Sequence, residues 1–349
     1  MMIIGTQAQN TPTVINAENV LKLRPMWQIN FDELNMVTDD ATPLPLVFSV
    51  GSFAMSDDGQ YIVVGADTED TPSLTYWVGF QLFSEETWHL PVESDFRPID
   101  PFFDGGDFYW SELLAETFLL YTLSSDDPTT TSRVVKLEMN NALIDGWKQG
   151  DIVGLEALSS DYESVVILID LVSGRATEAP YLPAEDEDAV VRIGRVPLPY
   201  VVTSSEEGIV KLWNLGTQEP LATVDNTTGE PSVFGNINNT PTHLVWRDNA
   251  SLMLYLLDFA TGENKAIDAL NGAYVQWFFL TPNADVVIGV GVDGEPNVVA
   301  WDVANQTSHI LGEYRTCGRP QPDMARLSRD GTTLVIGCGD GLEVWRVVD

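Results

Sequence analysis

The feature that most constrains the fold is a spacing. Ile169, Trp213, Leu257, Trp301 and Trp345 follow one another at 44-residue intervals, and each closes a run of apolar or β-branched residues. The runs are Val165–Ile169, Ile209–Trp213, Leu252–Leu257, Val298–Trp301 and Leu342–Trp345. A polar residue and a turn follow most of them, as in Asp170-Leu171-Val172-Ser173-Gly174 and Asp258-Phe259-Ala260-Thr261-Gly262. In such turns Asp bonds back to the backbone two residues on, and Gly takes the positive-φ position. A period of this length marks a stacked or circular repeat in which no copy buries its apolar face alone.

The strands say how the copies stack. A strand with one wet face alternates apolar and polar residues, whereas one covered on both faces is nearly continuously apolar. Val165–Ile169 and Leu252–Leu257 are of the second kind. A second hairpin precedes them. Ser56-Asp57-Asp58-Gly59 leads into Gln60–Gly65, Ser328-Arg329-Asp330-Gly331 leads into Thr332–Gly337, and Thr281-Pro282-Asn283-Ala284 is a weaker copy. Asp-Gly between two apolar runs is a hairpin signal. Each repeat therefore has an inner strand, this turn, a second strand, an upper loop, the Trp-ended third strand and an outer fourth. The reading is all-β: a seven-bladed β-propeller of four-stranded antiparallel blades.

The N-terminal third is less regular. Ser73–Trp77 is expected as the third strand of a first blade and Arg133–Met139 as that of a second, with an insertion around residues 91–107. The spacing favours seven blades and leaves six and eight open. After Trp345 only four residues remain, so the last blade lacks a fourth strand of its own. Leu21–Ile29, upstream of the first inner strand at Val47–Met55, is expected to supply it and close the ring, which removes two sheet edges. One domain is expected over residues 20–349, after a flexible segment 1–19 whose first nine residues read either as the tail of an export signal or as an ordinary frayed terminus. An extracytoplasmic or secreted location is the matching expectation, with cytoplasmic as the alternative.

Charge excludes several functions. Acidic residues number 52 and basic ones 17, a formal charge of -35. Phosphate recognition rests on Lys and Arg, so nucleic acid is a poor partner. Membrane insertion finds no apolar run of about 18 residues. A cationic protein, divalent ions or plain solubility remain as reasons for the charge.

The Ser-x-Asp-Gly turns, Gly208–Asn214, Trp301-Asp302 and Asp258–Gly262 together resemble the WD-repeat family of β-propellers, over about residues 47–349 and most closely from 165 onward. Trp301-Asp302 is the one literal Trp-Asp pair, and no Gly-His dipeptide occurs, so the family's His–Asp relay is missing. The resemblance implies a rigid, non-catalytic platform that binds protein partners.

The candidate binding residues are acids expected on one face, in loops joining second to third strands or successive blades. They are Asp126, Asp127, Glu185, Asp186, Glu187, Asp188, Glu206, Glu207, Asp293 and Glu295, with Asp104 and Asp107 placed on the same face. Two readings stand: a field that steers a basic partner, or solvated loops needing no ligand. No catalytic residue and no metal ligand set is assigned. Asp104–Asp107 and Glu185–Asp188 offer oxygen ligands, yet neither matches a full calcium loop. No cofactor is expected, calcium being the one ion considered. Cys317 and Cys338 map to one face of the last blade, where a disulfide fits; the alternative is a buried Cys338 beside an unrelated thiol. The alternative function is a hydrolytic, carbohydrate-active propeller with a carboxylate pair in its central funnel.

Overall fold

The structure is a computed structural model. It describes residues 12–34, 46–68, 75–84, 86–92, 101–104, 107–114, 117–124, 127–138, 142–149, 152–158, 164–173, 175–178, 190–192, 200–204, 209–214, 219–225, 232–234, 242–248, 251–267, 273–315 and 322–348. Among these residues the strands pair into seven four-stranded antiparallel sheets. Sheet 1 takes Leu46–Met55, Tyr61–Thr68, Thr75–Gln81 and Thr87–Val92, in spatial order. Sheet 2 takes Phe102–Asp104, Asp107–Leu114, Thr117–Ser124 and Asp127–Glu138. Sheet 3 takes Ala142–Gln149, Ile152–Leu158, Ser164–Asp170 and Arg175–Glu178. Sheet 4 takes Val190–Arg192, Tyr200–Ser204, Ile209–Asn214 and Glu219–Asp225. Sheet 5 takes Ser232–Phe234, His243–Asp248, Leu254–Asp258 and Asn264–Ala266. Sheet 6 takes Val275–Leu280, Val286–Val292, Glu295–Asp302 and Thr307–Glu313. Sheet 7 takes Met324–Leu327, Leu334–Cys338, Gly341–Val347 and, last, Leu23–Asn30 from the other end of the chain.

Apolar clusters lie between sheets rather than within one. Trp77 and Val63 of sheet 1 meet Phe108 and Trp110 of sheet 2. Phe118 and Leu120 of sheet 2 meet Val153 and Ile169 of sheet 3. Leu212 of sheet 4 meets Leu244 and Trp246 of sheet 5. Sheets 5 and 6 meet through Val245, Leu256, Phe278 and Trp301, and sheets 6 and 7 through Ile288, Val298, Ile336 and Trp345. Sheet 7 in turn meets sheet 1 through Trp27, Ile29 and Val344 against Ile62, Val64 and Phe80. A second strand is thus apolar on both faces because a neighbouring sheet covers each, and Leu334–Cys338 is buried throughout.

Closure by the N-terminal strand follows the expectation closely. Leu23 pairs with Val347, Gln28 with Glu343 and Asn30 with Gly341. The expected boundary at residue 20 needs correcting, because the chain is packed before it. Ile15 is fully buried and its N–H bonds Gly331 O at 2.9 Å, while Ala17 N bonds the Asp285 carboxylate at 3.0 Å. Residues 1–11 lie outside the described residues.

The second sheet also corrects the sequence reading. Its third strand is Thr117–Ser124, and of the stretch expected there, Arg133–Met139, residues 133–138 belong to the fourth strand, Asp127–Glu138, while Met139 lies outside the described residues. Third strands then end at Gln81, Ser124 and Asp170, 43 and 46 residues apart, so the period extends into the N-terminal third. Thr117–Ser124 escapes notice because it ends in Ser rather than Trp.

Turns of adjacent sheets nest against one another. Ser328 Oγ donates to Asp330 at 2.6 Å and accepts the N–H groups of Thr332 and Thr333, and Ser56 repeats this with Asp58, Gln60 and Tyr61. Gly59 and Gly331 hold positive φ, at 60° and 72°. A Cβ on Gly331 would fall 2.4 Å from Pro282 of sheet 6, and one on Gly59 would fall 2.6 Å from Thr333 of sheet 7. Between the last two turns sits Arg346, donating to Thr333 Oγ1 at 2.9 Å and Gly59 O at 2.8 Å, with its guanidinium 4.3 Å from the Phe83 ring centroid. Burial pushes its guanidinium down to about 10, with Asp330 and Asp58 acting against that, so it stays charged at neutral pH.

Buried indoles are satisfied unevenly. Trp345 Nε1 donates to Glu343 Oε1 at 2.7 Å, whereas Trp301 Nε1 is buried without an acceptor. Both rings are 1% exposed, so the difference isolates the hydrogen bond. Trp345→Phe is expected to cost about 1–3 kcal/mol more than Trp301→Phe, because it strips a donor from a buried carboxylate. Equal shifts in chemical denaturation would contradict this. Removing residues 1–30 deletes the closing strand and the buried Ile15, Val20, Leu23, Trp27 and Ile29. At about 1.5–3 kcal/mol per side chain this is on the order of 10 kcal/mol, comparable to the whole stability of a domain. The truncated chain should lose its cooperative thermal transition; an unchanged Tm would refute the closure.

Candidate docking face

Strand direction sorts the loops. Inner strands run from one face, here the upper, so second-to-third turns and sheet-to-sheet connections lie on that face. First-to-second and third-to-fourth turns lie on the lower one. Of the acids assigned to the upper face, Asp293 and Glu295 are described, at the second-to-third turn of sheet 6. Asp293 opens a two-residue hairpin turn and Glu295 follows it, with Val292 paired to Glu295. Asp293 and Gly294 both take positive φ, 51° and 77°, the pattern of an Asp-Gly type I′ turn. Asp293 Oδ1 accepts Tyr274 N at 2.8 Å and Asp293 N returns a bond to Tyr274 O at 2.8 Å. The turn is thus tied to the start of the inner strand, with both acids exposed.

Other acids are placed differently or not at all. Asp127 opens the fourth strand of sheet 2, in a third-to-fourth turn, and so belongs to the lower face. That follows from the corrected strand order there. Asp104 and Asp107 pair across the first-to-second turn of the same sheet and move to the lower face too. Asp126, Glu185, Asp186, Glu187, Asp188, Glu206 and Glu207 lie outside the described residues, as does Cys317. Cys338 ends the second strand of sheet 7 on the upper face, is 2% exposed and is disulfide-bonded.

The lower face carries the repeated Asp turns that end third strands. The Ser173 N–H, with that of Val172, holds Asp170 below the usual aspartate range. The Asn305 backbone and side-chain N–H groups do the same for Asp302. At Asp258 slight burial acts upward, and Ala260 N–H, Thr261 and His243 together outweigh it. These carboxylates are turn caps, spent on the backbone.

Sequence reading missed two basic residues that the structure makes prominent, Arg346 at the closing seam and Arg247 at the seam of sheets 5 and 6. The available signal was a basic residue inside an otherwise apolar strand. Among the described residues no group of three or more His, Cys, Asp or Glu is placed to hold a metal ion. Among them, too, no helix is long and apolar enough to cross a membrane.

The architecture defines the class: the chain is a β-propeller with WD-repeat-like blade hairpins. No family model matches it, and no curated protein matches either. Solved structures do. A chain of a mitotic checkpoint complex superposes with a TM-score of 0.61 at 12% identity, covering 100% of this chain and 99% of that one. The β-propeller domain of Cps50 (Swd1) from Myceliophteria thermophila gives 0.59 at 9% identity, covering 92% and 100%. At these identities the likeness concerns the fold.

Proposed function

We propose that this protein is a non-catalytic interaction scaffold, a seven-bladed ring in which each four-stranded sheet is one blade. Its upper face presents carboxylates to a basic protein partner. The observation that carries the reading is the Asp293-Gly294 turn, whose backbone presents two exposed acids side by side and ties Asp293 to the inner strand. The sequence reading assigns Glu185–Asp188, Glu206 and Glu207 to the same face, and they lie outside the described residues. A net charge of -35 extends that field toward an approaching cationic surface. The hydrolytic alternative needs a carboxyl group raised to act as an acid. Among the described residues every carboxylate with a resolved shift moves the other way.

The disulfide of Cys338 is assigned to Cys317, the only other cysteine in the chain. It would staple the loop entering sheet 7 to that sheet's second strand. A persistent bridge suits an oxidising compartment, which supports an extracytoplasmic location. The untreated protein should expose no titratable thiol after denaturation, and two after reduction. Two thiols without reductant would remove the bridge and the location with it.

Docking is tested by capture from the native source on immobilised protein at about 0.05 M and about 0.5 M salt. A basic protein should bind at low salt and elute at high salt. The double substitution Asp293→Lys, Glu295→Lys should weaken it about tenfold or more, as two exposed charge contacts of up to about 1 kcal/mol each would. Unchanged capture by the double variant would exclude this face.

A further inference from the structure

A buried guanidinium with one edge free of protein acceptors lies at the upper end of the seam between sheets 5 and 6. Arg247, next to last in the second strand of sheet 5, is 8% exposed. Alternation along the strand puts it on the same face as Val245, which packs toward sheet 6 with Val275 and Phe278. Asp248 takes the other face, fully buried, and its carboxylate accepts the N–H and hydroxyl of Ser251. The nearest acid in sequence is therefore turned away from the arginine and already engaged.

Three contacts hold the guanidinium in place. Nη1 donates to Val275 O at 2.6 Å. The Tyr274 and Phe278 ring centroids lie 4.7 and 5.9 Å from its central carbon. Nε is buried and has no acceptor. Among the described residues no carboxylate forms an ion pair with Arg247. Because Nη1 is the group engaged, the Nε–Nη2 edge is left, and that edge binds a carboxylate through two parallel N–H···O bonds. Burying a charge without a partner is costly, and this chain has 52 acids from which to supply one. Asp293, on the neighbouring hairpin, is bonded to Tyr274 N instead.

We propose that the Arg247 edge is a carboxylate-binding site, an anchor for an Asp or Glu side chain or a chain-terminal carboxylate of a bound peptide. Tyr274 forms its aromatic wall and the seam between sheets 5 and 6 its entrance. The site stands apart from the reading of the acidic face, and the two respond oppositely to salt. A basic partner loses affinity as salt rises. A carboxylate entering a protein of charge -35 is freed from long-range repulsion, while its close contact with Arg247 is screened less.

The test uses the full chain labelled with 15N-arginine. The Nε–Hε resonance of Arg247 is assigned by its loss in Arg247→Lys, which keeps the charge and removes the paired donors. It is followed against N-acetyl-glutamate N-methylamide with a blocked terminus, against N-acetylglycine for a terminal carboxylate, and against sodium chloride at matched ionic strength. The resonance should move and saturate with a carboxylate but not with chloride, and the arm saturating at lower concentration identifies the source. Affinity should hold or rise between about 0.05 and about 0.3 M salt. A thermal shift on carboxylate binding, read on both proteins, should require about tenfold more ligand in Arg247→Lys. An unmoved resonance, or the same response to chloride, would make Arg247 a strut of the seam and overturn the proposal. An equal thermal response in Arg247→Lys would do the same.

Discussion

Every other feature of this protein depends on sheet-against-sheet packing. A four-stranded sheet with two apolar faces has no stable existence alone, since each face must be covered by another such sheet. The requirement repeats until the last sheet finds the first. Trp27 and Val344 against Ile62 and Phe80 are where it is met. Because Leu23–Asn30 is the outer strand of sheet 7, freeing the N-terminal segment means breaking a ladder of backbone hydrogen bonds as well as an apolar contact.

Packing of that kind is permissive about polar detail, which accounts for how far the turns and indoles depart from a regular repeat. Trp345 satisfies its N–H with Glu343, Trp246 with Asn264, and Trp301 with nothing. A relay repeated in each sheet is replaced by separate local solutions. The heaviest of these sits at the closing seam, where Arg346 joins Thr333, Gly59 and Phe83. That is the seam whose sheets are furthest apart in sequence, so its closure costs the most chain entropy and gains most from directional bonds.

The fold was legible because its signals are local and repeated. Asp-Gly turns and apolar runs buried on both faces each follow from the chain within a dozen residues, and a spacing near 44 residues repeats them. Sheet 2 resisted because Thr117–Ser124 carries no Trp and the longer Asp127–Glu138 imitates a third strand. One misplaced strand was enough to put Asp127 on the wrong face, since a loop's face depends on counting strands. Asp293 and Glu295 were found because the Asp-Gly pair dictates its own turn. Arg247 was not legible. In sequence it is one polar residue at the end of a strand, and only the neighbouring sheet supplies Tyr274, Phe278 and the carbonyl of Val275.

Two kinds of charge therefore meet on the upper face, and they act over different distances. Exposed acids such as Asp293 and Glu295 set a field that falls off over about 8 Å at physiological salt, attracting basic surfaces without fixing their orientation. A guanidinium buried beside Tyr274 and Phe278 acts only at contact, and then with direction. A basic surface that carries a single carboxylate would satisfy both, the first bringing it close and the second choosing its register. A uniformly basic surface would satisfy only the first. If both proposals hold, selectivity falls to the buried cation of Arg247 rather than to the exposed acids.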